Sequence, residues 1–412
     1  MTRFLLIPLL SLLTLSCTQP ETRIQTGIWR GVIATQGMEL PFNFDIEQTA
    51  SGSYVAHIHN AEERILLDDV ALEGDSIHLT LHTFDAAFKA RIKGDSLVGR
   101  FVINYAAGYS LPFRATYGQS HRFAVKDTSA RVADFSGKYD VKFFNENSTG
   151  LALGVIEQKG NYATGTFLTP TGDLRYLEGN VVRDTLWLSA FDGNHIFIFN
   201  ATKTTDSTIR GTQWLGRSRN RKWEGSLNEN AQPPESESLT YLKEGYERID
   251  FSFPNLDSTI INSDDERYKN KVVILQILGS WCPNCLDETR FLIDWYTENH
   301  DRGVEIIGLA YEQKEDFQYA SQRVRKMKEK LGIPYQVLIA GSNDTKKASA
   351  TLPALNQVIG FPTTIFIGKD GKVKYIHTGF SGPGTGVYYE QAKERFIQTV
   401  NELLSVKEGR NK

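Results

Sequence analysis

The chain has 412 residues, with 46 Lys and Arg against 49 Asp and Glu and a net charge of -3. That length suits two or three domains, each large enough for its own core, and so balanced a charge gives no electrostatic footprint for nucleic acid. With 3 cysteines in all, a fold held together by disulfides is excluded as well.

Residues 1–16 read as an export signal. Arg3 precedes an apolar run from Phe4 to Leu15, far short of the roughly 20 residues a spanning helix needs. Cys17 follows Leu15 and Ser16, which looks like a lipoprotein signal whose cysteine is lipidated and becomes the new N-terminus. Thr14 stands where such a signal usually has Leu, and the other reading makes Cys17 an ordinary residue beside a cleavage site. Either reading exports the chain, and processing then leaves Cys282 and Cys285 as its free thiols. The expected location is periplasm-facing or outer-membrane, as a lipoprotein of a Gram-negative bacterium, with the membrane held through a lipid and not through a basic surface.

From Ile24 to Asn228 short runs alternate apolar and polar residues: Phe42, Phe44 and Ile46, then Ile77, Leu79 and Leu81, then Phe88, Ala90 and Ile92. This is the period of half-buried antiparallel strands. Turn signals recur between them at Glu73-Gly74-Asp75, Lys93-Gly94-Asp95 and Asp192-Gly193-Asn194. The region repeats: Gly27-Ile28-Trp29 aligns with Gly137-Lys138-Tyr139, Ile46-Glu47-Gln48 with Ile156-Glu157-Gln158, Phe84-Asp85 with Phe191-Asp192, and Ser96 to Gly99 with Thr208 to Gly211. Two all-β units are expected, at 24–118 and 132–228, each a small barrel or a sandwich. His57 and His59 share one strand face and His78 and His82 another, but the second repeat lacks them, so they read as polar strand faces and no metal is expected. The units space the next domain from the membrane or bind a partner. The polar, Pro-containing residues 229–238 read as a linker.

The run Val272 to Leu278 has the length and β-branched content of a strand buried on both faces. Directly after it stands Gly279-Ser280-Trp281-Cys282-Pro283-Asn284-Cys285. Two cysteines three apart on the first helical turn share a face and can close a small disulfide ring. Cys282 falls at the N-cap and Pro283 at the first helical position, where its missing N–H costs nothing. The unpaired N–H groups and dipole end there favour a thiolate and can lower a cysteine pKa from about 8.5 into the range of roughly 3.5 to 7.5. Cys282 is then the attacking sulfur and Cys285 the resolving one. Zinc would want four ligands and none stand nearby, and a purely structural disulfide over so short a loop constrains little. Glu288 lies on the face of Cys285 and can take its proton or simply stabilise the helix dipole. Further on, the helix carries Phe291, Leu292, Trp295 and Tyr296 as an apolar stripe and stops near Gly303. A strand at 304–310 follows, then a helix at 322–331 whose basic residues (Arg323, Arg325, Lys326, Lys328, Lys330) read as a solvated face. Another strand spans 335–339, and Phe396, Val400, Leu403 and Leu404 mark a closing helix.

Residues 239–405 resemble the thioredoxin-like domain of TlpA/ResA-type thiol-disulfide oxidoreductases. The resemblance rests on Phe251 to Asp257, Tyr268 to Val273, Trp281 to Cys285, Gly360-Phe361-Pro362-Thr363-Thr364-Ile365-Phe366-Ile367, and Lys369 to Val373. It implies an α/β thioredoxin-like domain behind the β units and a cis peptide bond between Phe361 and Pro362. It further implies a substrate loop formed by Trp281, Phe361 and Thr363, and it supports a proton-handling Glu288. Gln276 stands where thioredoxins proper carry a buried acid, which shifts that burden to Glu288. Thr289, Arg290 and Phe291 replace the Pro that often kinks this helix.

The expected function is an exported, membrane-anchored oxidoreductase without cofactor that reduces disulfides of extracytoplasmic proteins, fed by an extracytoplasmic electron donor. An oxidase or isomerase, a peroxide-reducing relative, and a non-catalytic β-domain binder are the other readings. A potential near about -120 mV would mark an oxidase and one near about -270 mV a reductase.

Overall fold

The computed structural model of the protein describes residues 24–125 and 132–406. The signal stretch and Cys17 lie outside the described residues, among which no helix is long and apolar enough to cross a membrane. The first unit is an antiparallel meander of β1 (Gly27–Thr35), β2 (Met38–Gln48), β3 (Tyr54–Asn60), β4 (Glu63–Glu73), β5 (Ser76–Leu81), β6 (Ala86–Lys93), β7 (Ser96–Ile103) and β8 (Ser110–Tyr117). Pairing of β1 with β8 closes it into a barrel, which removes both free edges. Alternation sends one residue in two inward, and the interior is filled by Trp29, Phe42, Phe44, Phe88, Phe101 and Phe113, with ring centroids as close as 4.5 Å. A Cβ on Gly31 would fall 2.5 Å from the Phe42 ring, so β1 needs a glycine there.

The second unit repeats the plan with β9 (Gly137–Phe144), β10 (Thr149–Lys159), β11 (Tyr162–Thr169), β12 (Gly172–Asp173), β13 (Leu177–Val182), β14 (Thr185–Phe191), β15 (Ile196–Lys203), β16 (Thr208–Leu215) and β17 (Arg219–Leu227). Pairings β9–β17 and β10–β11 close it, and β12 hangs from β11 as an addition with no counterpart in the first unit. Phe143, Phe167, Phe199 and Trp223 fill it. The repeat read from the sequence maps strand onto strand: β1 onto β9, β2 onto β10, β7 onto β16. One expectation changes. β2 is buried on both faces from Leu40 to Ile46: on its outer side Pro41 O accepts from Ser189 Oγ of the second unit (2.7 Å) and from the buried Arg122 between the units (3.1 Å), while His57, His59 and Arg64 of the first unit close over Asp45. Phe191, at the end of β14, packs its ring 5.0 Å from Phe42 and 5.1 Å from Phe101, so one side chain of the second unit completes the core of the first.

The third region starts with a hairpin of β18 (Ser252–Pro254) and β19 (Ile260–Asn262). It continues with β20 (Val272–Leu278), α1 (Pro283–Asn299), β21 (Val304–Glu312), α2 (Phe317–Leu331), β22 (Gln336–Ser342), α3 (Thr345–Thr351), β23 (Thr363–Ile367), β24 (Val373–Thr378) and α4 (Val387–Ser405). The sheet order is β22-β21-β20-β23-β24, with β20 central and buried throughout. Its alternation divides the domain: Ile274 and Leu278 join residues of α1, α2 and α4 in one core, while Val273, Leu275 and Ile277 join α3 in the other. Gln276 is therefore a polar side chain on the α1 side of the sheet.

α2 begins five residues before the sequence reading has it, because Asp316 caps it by accepting from Tyr319 N at 2.7 Å. Its basic face is not simply solvated. Arg323 is buried and faces Asp85 of the first unit at 3.8 Å, and Lys330 pairs with Asp68 there. Tyr319 Oη also donates to Asp85, at 3.2 Å. These cations are surface-like in sequence and become interface because a whole β unit is laid against them.

Candidate redox-active site

The end of β20 and the start of α1 place the two sulfurs. Cys282 is the N-cap, with extended backbone, and its Sγ accepts from Cys285 N at 3.2 Å, while Pro283 opens the helix. The two cysteines form a disulfide with a Cα–Cα distance of 5.2 Å, inside the range such bonds require. Cys285 is fully buried, and Cys282 is 5% exposed. Facing them is the loop before β23, where the Phe361–Pro362 bond is cis and Phe361 O lies 3.5 Å from Cys282 Sγ. Trp281 stacks edge-on with Phe361 at 5.5 Å and donates Nε1 to Tyr311 O at 2.8 Å. Thr363 is fully buried and donates to Gly360 O.

Behind Cys285 sits a polar pocket in an otherwise apolar core. Glu288 accepts from Gln276 Nε2 at 2.8 Å and from Thr364 Oγ1 at 2.6 Å. Gln276 Nε2 also lies 3.5 Å from Cys285 O, and Thr289 Oγ1 donates to Gln276 Oε1 at 3.2 Å. Burial pushes Glu288 up to about 7 against the opposing effect of those two donors. Glu288 also lines a cleft of about 400 Å³ shared with Thr364, Arg395 and His377, whose imidazole burial pushes down to about 4. α1 runs unbroken through Thr289. On the other side of the sulfurs, Ser280 N and Oγ donate to Glu312 (2.8 and 2.7 Å), a fully buried acid raised by that burial.

The second β unit reaches this site directly. Asn284 Nδ2, between the two cysteines, donates to Asp173 O at 3.2 Å, and Asp173 Oδ2 accepts from Gly382 N at 2.7 Å. Arg175 is buried and pairs both with Glu63 of β4 and with Asp287 of α1, so one guanidinium joins all three regions. Burial works against its charge, but Asp287 and Glu63 outweigh burial and hold it ionised. Asn194 Nδ2 donates to Trp281 O at 3.3 Å, and His195 is held by Asp192 through Nδ1 at 2.9 Å. A cleft of about 150 Å³ remains over Cys282, lined by Thr169, Thr171 and His195 from the β unit and by Trp281, Asn284 and Phe361.

Nothing in the local sequence pattern assigns Asp173, Arg175, His195, Asp287 or Glu312 a part in the site. The one cue for the first two was the break in alternation at Thr169-Pro170-Thr171-Gly172-Asp173. Elsewhere, His57 and His59 both close on Asp45, at 3.1 and 2.7 Å, with the Arg64 guanidinium on the same carboxylate. Asp45, Glu47 and His57 are the one group of three metal-type ligands among the described residues, and Arg64 lies across it.

Comparison with known proteins fits this geometry. Residues 243–391 match the Redoxin family model. The C-terminal region is similar to ResA and DsbE proteins. It is 30% identical over 112 residues to the thiol-disulfide oxidoreductase ResA of Geobacillus thermodenitrificans, covering 27% of this chain and 57% of that one. It is 28% identical over 116 residues to the thiol:disulfide interchange protein DsbE of Vibrio cholerae, covering 28% and 54%. The chain thus spans little more than half the length of these relatives. A solved thiol:disulfide interchange protein of the thioredoxin family from Chlorobium tepidum aligns over 40% of this chain and 99% of its own, at 21% identity and a TM-score of 0.30.

Proposed function

We propose that this protein is an exported, lipid-anchored thiol-disulfide oxidoreductase that reduces disulfides of extracytoplasmic proteins, with residues 239–405 as its redox domain behind β units at 24–118 and 132–228. The observation that carries this reading is the acceptance of the Cys285 N–H by Cys282 Sγ at the start of α1, since a donor fixed there stabilises a sulfur anion more than a thiol. In the reduced protein the Cys282 thiolate attacks a substrate disulfide, a Cys282–substrate bond forms, and the first substrate thiolate leaves. Cys285 then loses its proton and attacks Cys282, which restores the protein disulfide and releases the second substrate thiolate. Two electrons pass to substrate, and a thiol donor outside the cytoplasm returns them. Phe361, Pro362, Thr363 and Trp281 border the place where substrate backbone would lie.

Glu288 receives the Cys285 proton. A carboxyl poised near 7 both accepts and returns a proton at neutral pH, Gln276 cannot replace it, and the cleft on its far side offers a route to water. The test is single-turnover reduction of oxidised glutathione by the pre-reduced protein. Wild type reacts, Cys282→Ser does not, and Cys285→Ser stops at a mixed disulfide; reduction by Cys282→Ser at the wild-type rate would remove the proposal. The measured potential of the dithiol separates a reductase from an oxidase.

A further inference from the structure

The connection after β11 is where the two β units part company. In the first unit β3 passes to β4 through a tight turn at Ala61 and Glu62; in the second, residues 170–176 intervene and carry β12. This added segment lies on the redox site, beside the loop of Asn194 and His195. Its fit is close enough to exclude side chains. A Cβ on Gly379 would fall 2.5 Å from Thr171 C and 2.7 Å from Gly172 N, one on Gly360 would fall 3.2 Å from Thr171 Cβ, and one on Gly172 would fall 2.6 Å from Asn284 Nδ2. Gly360 directly precedes Phe361 and Pro362, and Gly379 N donates to Pro362 O at 2.8 Å. The hairpin therefore covers the flank of the loop along which an incoming polypeptide would lie, and it is fastened there through Asp173 and the Arg175 ion pairs.

We infer that residues 169–176 are a specificity-determining cap that limits the site to disulfides carried on short or unstructured peptide segments and excludes disulfides set in folded surfaces. This rests on the oxidoreductase reading of the same two sulfurs and narrows its substrate. The open volume over Cys282, about 150 Å³, admits a cysteine side chain with little of its neighbours, whereas a folded surface would meet Thr171, Gly172 and the His195 loop before its sulfur reached Cys282. The polar lining from Thr169, Thr171, Asn284 and His195 suits peptide backbone, whose N–H and C=O groups need partners once water is displaced.

The test compares single-turnover rates of the reduced full-length protein on oxidised glutathione and on a folded protein with one solvent-exposed disulfide. In one variant the Ala61–Glu62 turn replaces residues 170–176; the milder variant is Asp173→Ala. Cap removal is expected to raise the ratio of the folded-protein rate to the glutathione rate by at least about tenfold. Asp173→Ala shifts the same ratio in the same direction. Should both variants fail to fold, the wild type decides alone: iodoacetamide alkylates reduced Cys282 freely, and a polymer-bearing maleimide is slowed at least about tenfold relative to its reaction with free cysteine. An unchanged rate ratio on cap removal, or equal access of both reagents, overturns the inference and leaves the oxidoreductase reading standing. Absence of reaction with either disulfide in wild type overturns that reading too.

Discussion

The two β units share a topology and differ in what they touch. The first presents Asp68 and Asp85 to α2, at a distance from the sulfurs, while the second lays residues 170–176 over the Cys-Pro-Asn-Cys turn itself. Even the repeated Phe-Asp pair follows this division. Asp85 meets Tyr319 and Arg323 on α2, whereas its counterpart Asp192 holds His195 beside Trp281 and Cys282. A duplicated closed sheet thus keeps its core and gains a new contact by lengthening one turn, because turns outside a closed barrel are free to change where strands are not.

The comparison can be broken at several points. Cys282→Ser removes the attacking sulfur that the second unit overhangs, and disulfide reduction falls by at least about a thousandfold in a single-turnover assay. Arg175→Met leaves the buried Glu63 without its cation and leaves Asp287 only the half-exposed Arg290, at 2.9 Å, and chemical denaturation shows a loss of roughly 3–5 kcal/mol. Phe191→Ala takes from the first barrel the ring that the second supplies, for a similar or slightly smaller loss, roughly 3–5 kcal/mol.

Glu288→Gln sharpens the account through pH. Because burial raises the folded carboxyl from 4.5 to about 7, its neutral form is favoured by folding. That stabilisation is complete below pH 4.5 and is lost as pH rises through 7, amounting to roughly 3 kcal/mol. Wild-type stability therefore declines across this window, and the variant lacks that decline. Its reduction rate likewise loses the rise through pH 7 that follows ionisation of the carboxyl. The smallest effect belongs to the first unit's surface: Lys330→Ala, which removes a partly exposed pair with Asp68, costs about 1 kcal/mol or less.

Much of this architecture was legible in the chain. Alternation and turn residues identified two antiparallel β units and left barrel or sandwich open, and the buried run at Val272 to Leu278 followed by Cys282-Pro283-Asn284-Cys285 located the strand-to-helix junction. Most of the parts that were not legible share a cause. Arg323, Arg175 and Asp287 are charged residues of the kind that usually face water, and their burial comes from one region packing on another, which local periodicity does not report. β2 is buried on its outer face at Pro41 for the same reason. The start of α2 was missed because a cap, Asp316, extends the helix beyond its strongly periodic part.

The most direct test is a titration of the Cys282 thiol in the reduced protein, followed by its rate of alkylation against pH. A pKa in the range of roughly 3.5 to 7.5 is the expected result, as for a sulfur held at a helix start by a backbone donor. A value near about 8.5, that of an ordinary free cysteine, would contradict it.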